Sequence, residues 1–153
     1  MKLMKKKALY SVLCIFPVLL LSLSACGGGG GTETPAANVT GSWHVTETIT
    51  EASGICAQNI GTVSTWTGDA VQTGNNITVT VTSGDIAGAT FAGTISGDHV
   101  DWQGTYPGSG GTVTITGTDV TVANTSFSGT SNWEWTDGVD SCSGQTNVTG
   151  TKV

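Results

Sequence analysis

Residues 74–82 read Gly-Asn-Asn-Ile-Thr-Val-Thr-Val-Thr. The glycine and asparagines at the start of this stretch favour a turn. Ile77, Val79 and Val81 then alternate with threonines, so the three apolar side chains share one face of an extended chain. This period of two predicts a β-strand with one buried face.

The same alternation, interrupted by turn residues, recurs through residues 39–153. This region has no Leu and no Met but 25 Thr and 18 Gly, a composition that is poor in helix formers and rich in strand and turn residues. We count about eight strands, with turns that include residues 97–98 and 117–119. Because no helix is available for parallel crossovers, the pattern predicts an all-β, antiparallel up-and-down meander.

Two cysteines suggest how the meander ends. Cys56 follows the first predicted strand, and Cys142 precedes the last. An exported chain meets an oxidising compartment, which favours a disulfide between them, and a zinc site is the weaker alternative. In a closed eight-strand barrel the first and last strands are neighbours, so this bond would join the seam. We therefore predict a closed barrel, with a two-sheet sandwich as the alternative.

The amino terminus has the layout of a secretory signal. Four lysines precede an apolar run from Ala8 to about Leu23, which is shorter than the roughly 20 residues that span a bilayer. The run ends in Leu-Ser-Ala-Cys at residues 23–26, which resembles the lipobox of bacterial lipoproteins. That resemblance implies a signal peptide over residues 1–25 and a lipid, including palmitate, on Cys26. An ordinary signal peptide and an uncleaved anchor are the alternatives.

Residues 26–38 predict a flexible tether between the lipid and the domain at 39–153. Five consecutive glycines and a polar stretch with Pro35 leave nothing to bury. The membrane is thus expected as a partner only through Cys26. Gly27, rather than Asp, follows that cysteine, and by resemblance to lipoprotein sorting in enteric bacteria this favours the outer membrane, on a face that the sequence leaves open.

The charge of the chain limits the classes of partner that it can bind. After Cys26 there is one basic side chain, Lys152, against eleven acidic residues. Such a surface cannot neutralise phosphates, so nucleic-acid binding is not expected. Binding to anionic lipid by charge alone is not expected either.

Gly41-Ser42-Trp43, at the start of the first strand, resembles the Gly-x-Trp signature of calycins, the group that contains lipocalins and avidins. The short Thr/Gly-rich repeats at 91–97 and 127–130 resemble lipocalin-like bacterial lipoproteins. The resemblance implies a barrel that binds a small molecule and whose floor is closed by Trp43. It also implies a basic residue against that tryptophan, for which Lys152 is the candidate.

The candidate ligand-binding residues come from the strand faces. Glu47 shares its face with Trp43, so it is either a ligand contact inside the barrel or a residue turned outward at the rim. Aromatic side chains at period two would suit an apolar or aromatic ligand, or would simply fill a core that lacks leucine. The predicted ligand-binding set is Trp43, Glu47, Trp102, Tyr106, Trp133 and Trp135.

Other chemistry has little support in the sequence. Asp98, Asp101, Asp137 and Asp140 lie in turns, which recruit aspartate for backbone reasons, and their spacing matches no established metal loop. No nucleophile motif and no phosphate-binding glycine loop is present. We therefore expect no enzyme activity, no metal and no cofactor.

Two functions remain. The first is a lipocalin-like module that binds a small ligand in an open cavity bordered by Trp102, Tyr106, Trp133 and Trp135. The second is a structural or adhesive envelope protein that acts through its surface and whose barrel is filled by its own side chains. Cavity volume discriminates between them, since ligand pockets usually measure about 300 Å³ or more.

Overall fold

The computed structural model describes residues 35–153, apart from the side chain of Thr118. The predicted signal peptide, Cys26 and most of the tether lie outside the described residues. The strands are β1 (Gly41–Ala52), β2 (Val63–Thr73), β3 (Asn76–Ser83), β4 (Thr90–Ser96), β5 (His99–Gly108), β6 (Gly111–Val122), β7 (Ser126–Thr136) and β8 (Ser141–Lys152). A short 3-10 helix, η1 (Gly54–Asn59), follows β1.

The eight strands form one closed antiparallel barrel in which each strand pairs with its neighbours in the chain. β1 also pairs with β8, with Trp43 opposite Lys152 and Glu47 opposite Val148. The predicted meander and its closure are thus confirmed, and the two-sheet alternative is wrong. Closure leaves no open edge, because the first and last strands satisfy each other's backbone groups.

The disulfide predicted for the seam is present. Cys56, in η1, is bonded to Cys142, at the start of β8, and the two Cα atoms lie 6.0 Å apart. Ser53 adds two hydrogen bonds next to the disulfide, because its backbone N–H and its hydroxyl both donate to the carbonyl oxygen of Ser143. The β1–β8 seam therefore has a covalent link at one end of the barrel, called here the disulfide end.

The turn predicted at 117–119 is wrong. β6 runs unbroken through these residues and contains a β-bulge against β7 between Gly117 and Asp119. Ile115 and Val120 are both buried although they are five positions apart, because the extra residue of the bulge restores the inward face. Glycine and aspartate are typical of turns and of bulges alike, so composition did not separate the two.

The core is built from aromatic rings packed against glycines. A methyl group added at Gly117 would overlap the indole of Trp102, and one at Gly150 would overlap the ring of Phe127. Large rings therefore occupy space that small residues leave free on the facing strand, which is how a domain without leucine reaches a packed interior.

The chain before β1 closes the other end of the barrel, called here the tether end. The Ala37 N–H donates to the carbonyl oxygen of Gly97, and the Val39 N–H donates to Oε1 of Gln72. Val39 is buried, and its carbonyl oxygen accepts a 2.8 Å hydrogen bond from Nε1 of Trp43. Lys152 Nζ lies 5.6 Å from the centre of the Trp43 ring, as the calycin resemblance implies. The described part of the chain holds no helix of the length and apolarity needed to cross a membrane.

Candidate functional site

Glu47 points into the barrel. Its side chain is 8% exposed, and the alternative of an outward rim position is not what the structure shows. Burial raises the pKa of the Glu47 carboxyl, an effect that the nearby indole of Trp66 partly offsets. Alternation along β1 places this carboxyl on the same inward face as Trp43 and Val45.

Four aromatic rings cluster in the same interior. The ring of Phe91 lies at their centre, 5.0 Å from Trp102, 5.9 Å from Trp66 and 6.3 Å from Tyr106, measured between ring centres. Burial, and secondarily the charge of Glu47, raise the pKa of Tyr106 to about 12. Glu47 therefore lies near Trp66 and Tyr106, which belong to this aromatic cluster.

Five buried polar atoms of the described residues have no hydrogen-bond partner, and all of them belong to inward-facing side chains. They are Oε1 of Glu47, Oγ of Ser131 and the Nε1 atoms of Trp66, Trp102 and Trp133. The indole N–H of Trp66 lies close enough to Glu47 to affect its pKa without reaching hydrogen-bond geometry. Buried polar groups normally form hydrogen bonds. Each of these five atoms therefore requires a hydrogen-bond partner, such as a ligand or ordered water.

Two of the predicted ligand residues already have partners. Nε1 of Trp43 donates to Val39, as described above, and Nε1 of Trp135 donates to the carbonyl oxygen of Gly108 at 2.9 Å. Trp135 is only half-buried and lies at the disulfide end. Trp43 and Trp135 therefore lie toward opposite ends of the barrel with their indole N–H groups already paired. Like Trp43, the side chains of Glu47, Trp102, Tyr106 and Trp133 face the interior.

The interior contains an apolar cavity of about 70 Å³. Trp43, Trp66, Phe91 and Trp102 contribute to its wall, and Val39 borders it at the tether end. Of the four side chains expected to border an open cavity, Trp102 does so, whereas Tyr106, Trp133 and Trp135 are not among its lining residues. The volume is also smaller than the roughly 300 Å³ of ordinary ligand pockets.

Sequence reasoning missed three interior residues, namely Trp66, Phe91 and Ser131. Trp66, Gly68 and Ala70 alternate on the inward face of β2. Gly68-Asp69 is also typical of a turn, so the sequence does not mark Trp66 as part of one continuous inward face. Phe91 was assigned to a strand face but not to the site. Ser131 has an unremarkable side chain, and only its burial, with 2% exposure, singles it out.

The turn aspartates have a structural role where contacts are seen. Oδ1 of Asp137 accepts backbone hydrogen bonds from Val139 and Asp140, at 2.9 and 2.8 Å. Both bonds lower the pKa of Asp137, and the bond from Asp140 has the larger effect. Across the described range 35–153, no three His, Cys, Asp or Glu side chains are grouped so that they could hold a metal ion.

Comparison with known proteins adds no family to this picture. No protein-family model matches the chain. No curated protein matches it either.

Proposed function

We propose that this protein is a lipid-anchored envelope lipoprotein whose barrel binds a small, mostly apolar or aromatic molecule. The observation that carries the proposal is the set of orphaned polar atoms inside the barrel. A closed barrel that served only as a scaffold would gain stability from apolar side chains at these positions, because an unpaired buried polar group costs about 1–3 kcal/mol. Two of the three unpaired indole donors, those of Trp66 and Trp102, belong to the wall of the apolar cavity. Such a wall suits a ligand with an apolar body and an oxygen acceptor.

Native mass spectrometry tests this function directly. The protein would be purified from the source envelope in detergent, under oxidising conditions, and its mass compared with that of the delipidated, denatured chain. A bound small molecule that is released on denaturation is the expected result. Its loss from a Trp102→Leu variant that still folds would place it in the barrel, whereas an exposed control, Val71→Leu, should retain it. A wild-type barrel that is empty in every preparation would contradict the proposal.

A second candidate, a structural or adhesive protein that acts through its surface, is favoured by the small interior cavity. The outer wall adds a wider concavity of about 360 Å³, lined mainly by exposed residues such as Thr94, Asp101, Gln103 and Thr116. This candidate predicts an empty barrel together with binding that is lost when these surface residues are changed. The same mass measurement therefore separates the two functions.

The anchor is proposed from the lipobox-like residues 23–26 and the glycine-rich segment after them. We expect metabolic labelling with palmitate to mark the wild-type protein and not a Cys26→Ser variant. The variant should also leave the detergent-rich phase on phase separation, while a Cys14→Ser control should behave like wild type. Equal labelling of the Cys26→Ser variant would contradict the lipid site.

Fractionation of the envelope tests the proposed outer-membrane location. In a density gradient, the wild-type protein is expected to sediment with outer-membrane markers. A Gly27→Asp variant should shift toward the inner membrane if the sorting rule of enteric bacteria applies. Wild-type protein in the inner-membrane fractions would contradict the location while leaving the anchor intact.

A further inference from the structure

The unusual feature of the barrel interior is a buried carboxyl group that no cationic side chain of residues 35–153 contacts. Glu47 is 8% exposed, and its Oε1 has no hydrogen-bond partner. Lys152 is the only lysine or arginine between residues 35 and 153, and it lies at the tether end against Trp43. A buried carboxylate without a cation is costly, so a cationic partner other than the described residues would stabilise the charged form of Glu47.

The histidines do not supply that partner. His44 neighbours Trp43 on β1 but points to the outer surface, where it is exposed. His99 is also exposed and lies 3.5 Å from Asp98 at the β4–β5 turn. Among the described residues, therefore, no cationic side chain reaches the carboxyl of Glu47.

The surroundings of Glu47 are those of a site for a cation. Val45, two residues before Glu47 on the inward face of β1, pairs with Trp66 of β2. The rings of Trp66, Trp102 and Tyr106 lie 5.0 to 6.3 Å from the ring of Phe91, measured between ring centres. Aromatic faces attract a desolvated cation within about 6 Å of the ring centre, tryptophan most strongly. An anionic group beside aromatic rings thus offers an organic ammonium ion both a counter-charge and a set of π faces.

We infer that the barrel interior is a site for a small organic ammonium group, with Glu47 as its counter-ion and the rings of Trp66, Trp102 and Tyr106 around it. This inference rests on the proposed function, because it names the class of ligand that the barrel binds. The alkyl part of the ligand lies in the apolar cavity of about 70 Å³, whose wall includes Trp66 and Trp102 but not Glu47 or Tyr106. That volume suits a chain of a few carbons, and the free indole N–H groups remain available to an oxygen atom of the same molecule.

Two probes of equal size and different charge test the inference. The full-length lipoprotein in detergent micelles is titrated with n-butylammonium and with 1-butanol, and binding is followed by intrinsic tryptophan fluorescence and by calorimetry. The ammonium ion is expected to bind at least tenfold more tightly than the alcohol. Butyrate, which carries the opposite charge, is expected to bind less tightly than the alcohol.

The Glu47→Gln variant supplies the decisive comparison. Glutamine has nearly the same shape and no charge, so the preference for n-butylammonium over 1-butanol should disappear. Glu134→Gln, an exposed glutamate on β7, is the matched control and should retain the preference. Equal binding of the amine and the alcohol, unchanged in Glu47→Gln, would overturn the ammonium site and leave the binding function standing. Failure of all three probes to bind the wild-type protein would overturn both.

Discussion

At the scale of single residues, Glu47 differs most from its surroundings. It occupies a position on the inward face of β1 where an apolar side chain would fit the pattern of Val45 and Ile49. Burial is the largest influence on its carboxyl and raises its pKa. The neutral form is thereby favoured in the folded protein relative to the unfolded chain.

This shift predicts a pH dependence of stability. Because the pKa of Glu47 is raised in the folded state, the folded protein retains a proton that the unfolded chain releases above the ordinary value of 4.5. The free energy of unfolding that Glu47 contributes is therefore greatest at low pH, and it is lost as the pH rises through the raised pKa. Tyr106, with its pKa raised to about 12, adds a loss of the same sign only in strong alkali.

Urea denaturation at pH 5 and pH 8 checks the prediction. The Glu47→Gln variant should gain stability relative to wild type between pH 5 and pH 8, because it carries no proton to lose. The exposed Glu134→Gln control should follow wild type at both pH values. Parallel stability curves for wild type and Glu47→Gln would contradict the assignment of a raised pKa to this carboxyl.

At the scale of the strands, the glycines of β7 and β8 accommodate the bulges of their neighbours. β1 has a bulge against β8 between Ile49 and Glu51. A methyl group on Gly144 would overlap the Glu51 carbonyl oxygen and approach Cζ2 of Trp133 at 2.6 Å. On β7, Gly129 lies in the same relation to the Asp119 carbonyl oxygen of the β6 bulge. Glycine is required at these positions because the backbone of the neighbouring strand approaches too closely for a side chain. Its ability to adopt unusual backbone angles is not the reason.

Gly144→Ala is accordingly expected to destabilise the barrel by about 1–3 kcal/mol, the usual cost of overpacking. The neighbour that must move is backbone, which cannot turn away as a flexible side chain can. Gly108→Ala is the control, because its new methyl would meet mainly Cγ2 of Val113 at 3.2 Å. Denaturant midpoints at constant slope give both values, and equal midpoints for the two variants would contradict the explanation.

At the scale of the whole molecule, closure depends on contacts between residues far apart in sequence. The Cys56–Cys142 bond spans 86 positions and joins η1 to β8, next to the seam where β1 pairs with β8. A cross-link restricts the unfolded chain more strongly as the loop it closes grows longer. The seam should therefore owe much of its stability to this bond.

Replacing both cysteines by alanine is expected to lower the free energy of unfolding by roughly 4–5 kcal/mol in the chain-entropy model. Thermal and urea denaturation of the double variant, beside wild type with and without reductant, measure the effect. Reductant should weaken wild type and leave the double variant unchanged. If the reduced wild type unfolds at the same urea concentration as the oxidised protein, the bond does not stabilise the barrel.

The fold class, the number of strands, the closed meander and the disulfide could all be predicted from the amino-acid sequence. Alternation such as Ile77-Thr78-Val79 is local, and the absence of helix formers is a property of composition, so both can be read without a structure. The positions of Cys56 and Cys142 relative to the first and last strands carried the one long-range inference.

The contents of the barrel interior depend on the tertiary structure. The bulge in β6 changes which of its side chains face inward, so the unbroken path of that strand does not follow from alternation alone. The orphaned state of Glu47, Ser131 and the indole N–H groups depends on which atoms of distant strands come within hydrogen-bond range. The cavity of about 70 Å³ depends on how rings pack against glycines across the barrel. These features arise from three-dimensional packing, which a one-dimensional pattern does not contain.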